Sequence, residues 1–145
     1  MAVLERSIYK KIEWYLFNYF NIRREINEYR DEVLNSGRQL IEQGGGGISR
    51  HSDPTALKAI KLASNAEIEK YEKWIKVIEK VIEHFKGTEK GKLLQMRYFD
   101  EYAERYICNK LHIERTTYFT WKNEIVLYTA MLAIQYGLIK VDRIA

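Results

Sequence analysis

Cysteine occurs once in the 145 residues, at Cys108, and proline once, at Pro54. A single thiol excludes an intramolecular disulfide framework. His51, His84 and His112 stand too far apart, with no cysteine cluster beside them, to give the ligand spacing of a zinc site. Long apolar runs are missing too. The opening stretch MAVLERSIYKKIEWYLF is interrupted by Glu5, Arg6, Lys10, Lys11 and Glu13. It therefore lacks both the unbroken apolar core of a signal peptide and the length of a membrane span. These absences predict a soluble, cytoplasmic protein with no metal, no cofactor and no membrane partner.

Catalytic signatures are equally scarce. His84, His112 and Cys108 form no recognisable nucleophile and base set, and no nucleophile elbow accompanies them. The acidic residues fall in mixed runs such as EIEKYEKWIKVIEK, where solvated helix faces and near-neighbour ion pairs account for them. The chain is expected not to be an enzyme. An excess of one charge is absent as well: the net charge is +4, shared as 15 basic against 13 acidic residues over 1–87 and 9 against 7 over 88–145. So even a spread gives little of the concentrated basic face that by itself marks a nucleic-acid binder.

What is present is helical periodicity. Apolar residues make up 46% and charged residues 30% of the chain, enough to bury a core in one globular unit or in a small domain with a helical extension. Ile8, Ile12, Tyr15, Tyr19, Ile22, Ile26, Tyr29 and Val33 follow one another by threes and fours, predicting one helix of roughly 38 Å at about 1.5 Å per residue. Trp14, Phe17 and Phe20 widen its stripe. A second stripe, Ile68, Tyr71, Ile75, Ile78, Ile82 and Phe85, predicts a helix from Pro54 to about Lys86.

Between the two helices lie Gly44 to Gly47 and ISRHSDPTA. The four glycines are not followed by the Lys-Ser or Lys-Thr of a phosphate loop, so they read as a flexible link. Asp53 can cap the next helix and Pro54 can take its first position. The expected fold is all-α: a long helical hairpin over 1–87 with its linker at 44–53, then a helix-turn-helix domain over 88–145. Gly87 should end the second helix, and Thr88 should open a shorter one carrying Leu93, Leu94, Met96, Tyr98 and Phe99.

Within the second part, EYAERYICNKL reads as a helix from about Glu101. His112 to Glu114 form a turn, and RTTYFTWKNEIVLYTAML reads as a second helix. This is helix-turn-helix spacing. Ile107, Cys108 and Leu111 line one side of the first helix, with Cys108 in place of a small residue at the crossing. Ile113 plugs the turn, and Tyr118 and Trp121 face the first helix. That register leaves Arg115, Thr116, Phe119, Thr120, Lys122 and Asn123 on the outer surface. Arginine, threonine and asparagine offer donors to base edges or phosphates, and a phenyl ring can meet a thymine methyl.

On SDPTALKAIKL, LLQMRYFDEY, ICNKLHIERTTYFTWKNEI and the GLI near the end, the chain resembles the RinA/ArpU family of phage and prophage transcriptional regulators. The C-terminal part of that family is similar to the helix-turn-helix of sigma-factor region 4. The resemblance implies sequence-directed binding of double-stranded DNA upstream of late genes for packaging, morphogenesis or lysis. By position, Arg115, Thr116, Phe119, Thr120 and Lys122 would lie toward the major groove, with Thr117 near the helix start.

At the first position of the second helix, where the family commonly has a hydroxyl, this chain has Glu114. Its carboxylate can cap the helix or accept from a cytosine amino group, but it also puts negative charge where a phosphate would approach. Two other readings accompany the regulator: a small terminase-like packaging subunit, and a protein-binding module that touches RNA polymerase. The long helices are also expected to supply a homodimer surface, because their stripes carry more large side chains than one hairpin seam covers.

Overall fold

The computed structural model describes the backbone of residues 4–43 and 54–140 and the side chains of residues 4–35 and 66–140. Gly44 to Gly47, His51 and Asp53, the expected link and cap, lie outside the described residues. The fold is all-α. Its helices are α1 (Arg6–Phe17), α2 (Tyr19–Gln43), α3 (Pro54–Phe85), α4 (Glu89–Leu94), α5 (Glu104–Leu111) and α6 (Arg115–Gln135). They form two compact units, one from Met1–Phe20 with Lys73–Ala145 and one from Asn21–Glu72. The division falls inside α3, whereas the sequence suggested a boundary after Gly87, because α1 and the second half of α3 belong to the same packed unit as α4 to α6.

In the larger unit the first stripe is buried as its periodicity requires: Ile12 and Leu16 are inaccessible and Tyr15 and Tyr19 nearly so. The helix is interrupted, however, where one uninterrupted rod was expected. Asn18 leaves helical geometry (φ −100°, ψ 13°), and its amide Nδ2 and its backbone N–H both donate to the Trp14 carbonyl oxygen. A short amide side chain that competes for the backbone in this way ends α1 and restarts the chain as α2. Trp14 and Phe20, which widened the predicted stripe, are about half exposed.

The buried face of α3 keeps Ile78 and Phe85 of the predicted stripe but is rotated toward Trp74. Trp74, Val77, Ile78 and Val81 are inaccessible, while Ile75 and Ile82 are half-buried. Two apolar stripes run side by side on this helix. The one that carries the tryptophan lies deepest, joined by Ile78 and Phe85 from the other, and Trp74 stacks on Tyr15 with centroids 4.0 Å apart and planes 8° from parallel.

Gly87 (φ +80°) ends α3 and Thr88 caps α4, as the sequence indicated. The Thr88 hydroxyl donates to the Phe85 carbonyl at 2.5 Å and accepts from the Gly91 N–H at 3.1 Å. At Gly91 a Cβ would collide with the Phe85 carbonyl, so only glycine allows the turn to close this tightly. α4 passes into a π-helical turn, Gln95–Phe99, which carries Tyr98 fully inside and ends with Asp100 N–H on the Gln95 carbonyl at 2.9 Å.

α6 runs through the middle of this unit against α1, α4 and α5. Ile125, Val126, Thr129, Ala130 and Ala133 are all inaccessible or nearly so, the alanines admitting neighbouring helices closely. The buried Thr129 hydroxyl donates to the Ile125 carbonyl at 2.7 Å and so remains satisfied. Gly137 (φ +75°) stops α6, and Leu138 N–H reaches back to the Ala133 carbonyl at 2.8 Å.

In the smaller unit Ile22 and Ile26 are buried, Tyr29 and Val33 are half-buried, and Arg30 of α2 pairs with Glu72 of α3 at 2.8 Å.

Candidate nucleic-acid interface

The segment read as two helices and a turn folds as α5 and α6 joined by three residues. α5 starts three residues later than its periodicity suggested. Glu101 sits in the left-handed region (φ 58°) and Ala103 is extended (ψ 154°), so the helix cannot begin before Glu104. At the other end His112 is left-handed (φ 55°, ψ 47°), and Ile113 N–H returns to the Cys108 carbonyl at 3.0 Å. This is a helix C-terminus of the kind usually made by glycine, with histidine bearing the strain. Glu114 is then extended (ψ 161°), and its carbonyl accepts the first α6 bond, from Tyr118 N–H at 3.0 Å. Glu114 holds the cap position, yet its carboxylate makes no cap hydrogen bond, so the capping role expected of that side chain is not taken up.

The expected inner residues divide by depth. Ile107 is inaccessible and Tyr118 nearly so, while Cys108, Leu111, Ile113 and Trp121 are half-buried. Burial, with Glu104 nearby, pushes the Cys108 thiol up from its ordinary value against the opposing pull of Arg115. That direction disfavours the thiolate form.

The outer residues also divide. Glu114, Arg115, Thr116, Phe119 and Thr120 are exposed and Thr117 is half-buried. Arg115 Nε donates to Glu104 Oε1 at 2.7 Å, its guanidinium lies 5.3 Å from the Phe119 ring centroid, and its side chain is still 76% exposed. Thr120 returns its hydroxyl to the Thr116 carbonyl at 3.0 Å. An open groove of about 420 Å³ runs beside this cluster, lined by Glu104, Arg105, Cys108, Asn109 and Arg115.

Lys122 and Asn123 do something else: they tie α6 to α1. Lys122 Nζ lies 3.2 Å from Glu13 Oε2 with only 16% of its side chain exposed, between the rings of Tyr9 and Phe119. Asn123 Oδ1 accepts from the Tyr9 hydroxyl at 2.6 Å. The same Glu13 oxygen accepts from the buried Tyr98 hydroxyl at 2.7 Å. Burial and then the Glu13 charge push the Tyr9 and Tyr98 phenols far above the ordinary range, which keeps both as neutral donors.

Periodicity set Lys122 and Asn123 on the side of α6 away from α5, but α1, more than 100 residues earlier in the chain, packs there and meets them. The sequence reading also passed over Tyr102, Tyr106, Arg105 and Lys110. All four are exposed on or beside α5, with the two tyrosine rings 4.5 Å apart and Lys110 over Tyr106. Arg105 and Lys110, on the outer face of the first helix, were the available signal.

Among the described residues no three His, Cys, Asp or Glu side chains gather as metal ligands, and no helix is long and apolar enough to cross a membrane. A family model described as a protein of unknown function, DUF1492, matches residues 33–130, a span that holds all of α3, α4 and α5 and most of α6. No curated protein and no solved structure matches the chain.

Proposed function

The chain belongs to the DUF1492 family, and we propose that it is a cytoplasmic, sequence-specific DNA-binding regulator of transcription that activates late phage or prophage genes, as its resemblance to RinA/ArpU proteins implies. One observation carries this reading: a short helix, a three-residue turn and a long helix whose far end is core and whose first two turns expose Arg115, Thr116, Phe119 and Thr120 together. In a helix-turn-helix the N-terminal residues of the second helix meet base edges while the first helix crosses the backbone. Here Arg105 and Lys110 give α5 cations for phosphates. Lys122 and Asn123 leave the contact set and become the anchors of α1.

In the same reading α2 and α3 form a long hairpin, bridged by Arg30 and Glu72, that supplies a homodimer surface and joins two weak half-sites in one body. A second reading, a contact with RNA polymerase or another protein, draws on a different observation. A mainly apolar groove of about 440 Å³ is lined by Ile82, Leu94, Met96 and Phe99, with Lys86 and Lys92 at its rim. A packaging role would instead require a closed ring of chains.

Polarisation binding to late-promoter fragments and to random duplexes tests the main reading. The regulator should prefer one fragment at about 0.15 M salt, and equal binding to all duplexes would end the sequence-specific proposal. Light scattering separates the rest: a monomer or dimer fits the regulator, and a closed assembly of about eight or more chains fits packaging.

A further inference from the structure

Arg115 is the most exposed cation at the start of α6, and long exposed arginines ordinarily sample many rotamers. This one is held on two sides. Its Nε–H donates to the Glu104 carboxylate at 2.7 Å, and its guanidinium carbon lies over the Phe119 ring, 5.3 Å from the centroid. Glu104 is itself fixed: it opens α5, where the helix dipole favours a carboxylate, and only 32% of its side chain is exposed. An arginine has five N–H donors in a planar fork. With Nε spent on Glu104, the four donors on the two Nη atoms remain, and these form the end-on pair that matches the O6 and N7 acceptors of guanine.

We infer that Glu104 is a positioning residue that presents the Nη edge of Arg115 to one guanine in the major groove, with Phe119 as the backing surface. The inference rests on the DNA-binding reading and adds to it a base, an approach geometry and a residue outside the recognition helix. A carboxylate this close to DNA weakens general affinity through repulsion from phosphates. It is tolerated here because it costs affinity for every sequence alike, while the order it imposes on Arg115 favours only duplexes with guanine at one position.

The test uses the full chain and selection of bound duplexes from a random pool, followed by titration of single-base variants of the selected site. The wild type should select a site in which one guanine contributes about 10-fold to 100-fold, and replacing that guanine by 7-deazaguanine, which lacks N7, should remove most of this. Glu104→Ala should lose about 10-fold of the discrimination at that one position, keep it at the others, and bind random duplexes more tightly. Glu104→Gln removes the charge but keeps an oxygen that accepts from Nε. It should bind random duplexes as tightly as Glu104→Ala while retaining the guanine preference.

Unchanged discrimination in Glu104→Ala, or loss spread equally over all positions, would overturn the positioning role while leaving DNA binding intact. Should the wild type select no sequence at all, the regulator reading falls and the inference falls with it.

Discussion

Replacing Lys122 by Met keeps most of the side chain's apolar stem and removes only the ammonium. The residue left behind is Glu13, 19% exposed, with its Oε2 still held by the Tyr98 hydroxyl at 2.7 Å but its counter-charge gone. Breaking a fully buried ion pair on one side costs about 3–5 kcal/mol, and breaking an exposed one about 0–1. A pair at 16% and 19% exposure, with one hydrogen bond surviving, falls between these, at about 2 kcal/mol. For a chain of this size that is a fall in Tm of about 4–8 °C. Thermal denaturation by circular dichroism reads it directly.

The double variant Lys122→Met/Glu13→Gln should recover part of the loss, giving a coupling of about 1–2 kcal/mol in the cycle. Arg115→Ala, at an exposed site, should leave Tm within about 1 °C while weakening specific DNA binding. The reasoning is refuted if Lys122→Met melts like the wild type and loses DNA affinity as Arg115→Ala does, because Lys122 would then be a groove contact and not an anchor.

His112→Gly should raise stability by about 1 kcal/mol in urea titration, since the left-handed C-terminus of α5 penalises any residue with a Cβ. Glu114→Ser should add about 1 kcal/mol by supplying the hydroxyl cap that the carboxylate does not make, and should tighten binding to random duplexes; a lower Tm would contradict the cap geometry. Gly91→Ala should destabilise by about 1–3 kcal/mol, because the new methyl meets backbone that cannot move aside.

The phenol of Tyr98 is raised in the fold, so its stabilisation is complete below about pH 10, the ordinary tyrosine value, and is lost as pH climbs toward the folded value. Above pH 10 stability should fall by about 1.4 kcal/mol per pH unit from this group alone. Tyr98→Phe should flatten that slope in denaturant titrations taken across the alkaline range.

Local information in the chain was enough for the all-α class, the Gly87 stop, the Thr88 cap, the three-residue turn and the start of α6 at Arg115. Each depends on backbone preference or on periodicity within a few residues, and both are written in neighbouring letters. The seam of α1 was legible for the same reason. The buried face of α3 was legible only in part: Ile78 and Phe85 go inside as their spacing suggests, but Trp74, Val77 and Val81 on one side and Ile75 and Ile82 on the other are similarly apolar, and only the partner helices choose between them.

Tertiary structure likewise decided the outer surface of α6. Periodicity can say that Lys122 and Asn123 point away from α5, but not that Tyr9 and Glu13 arrive to meet them. Nor can it say that Glu104, eleven residues before Arg115, closes on its guanidinium. Helical phase is a property of a segment, whereas the pairing of charges between segments depends on which helices share a core. That follows from the packing of the whole unit around α6.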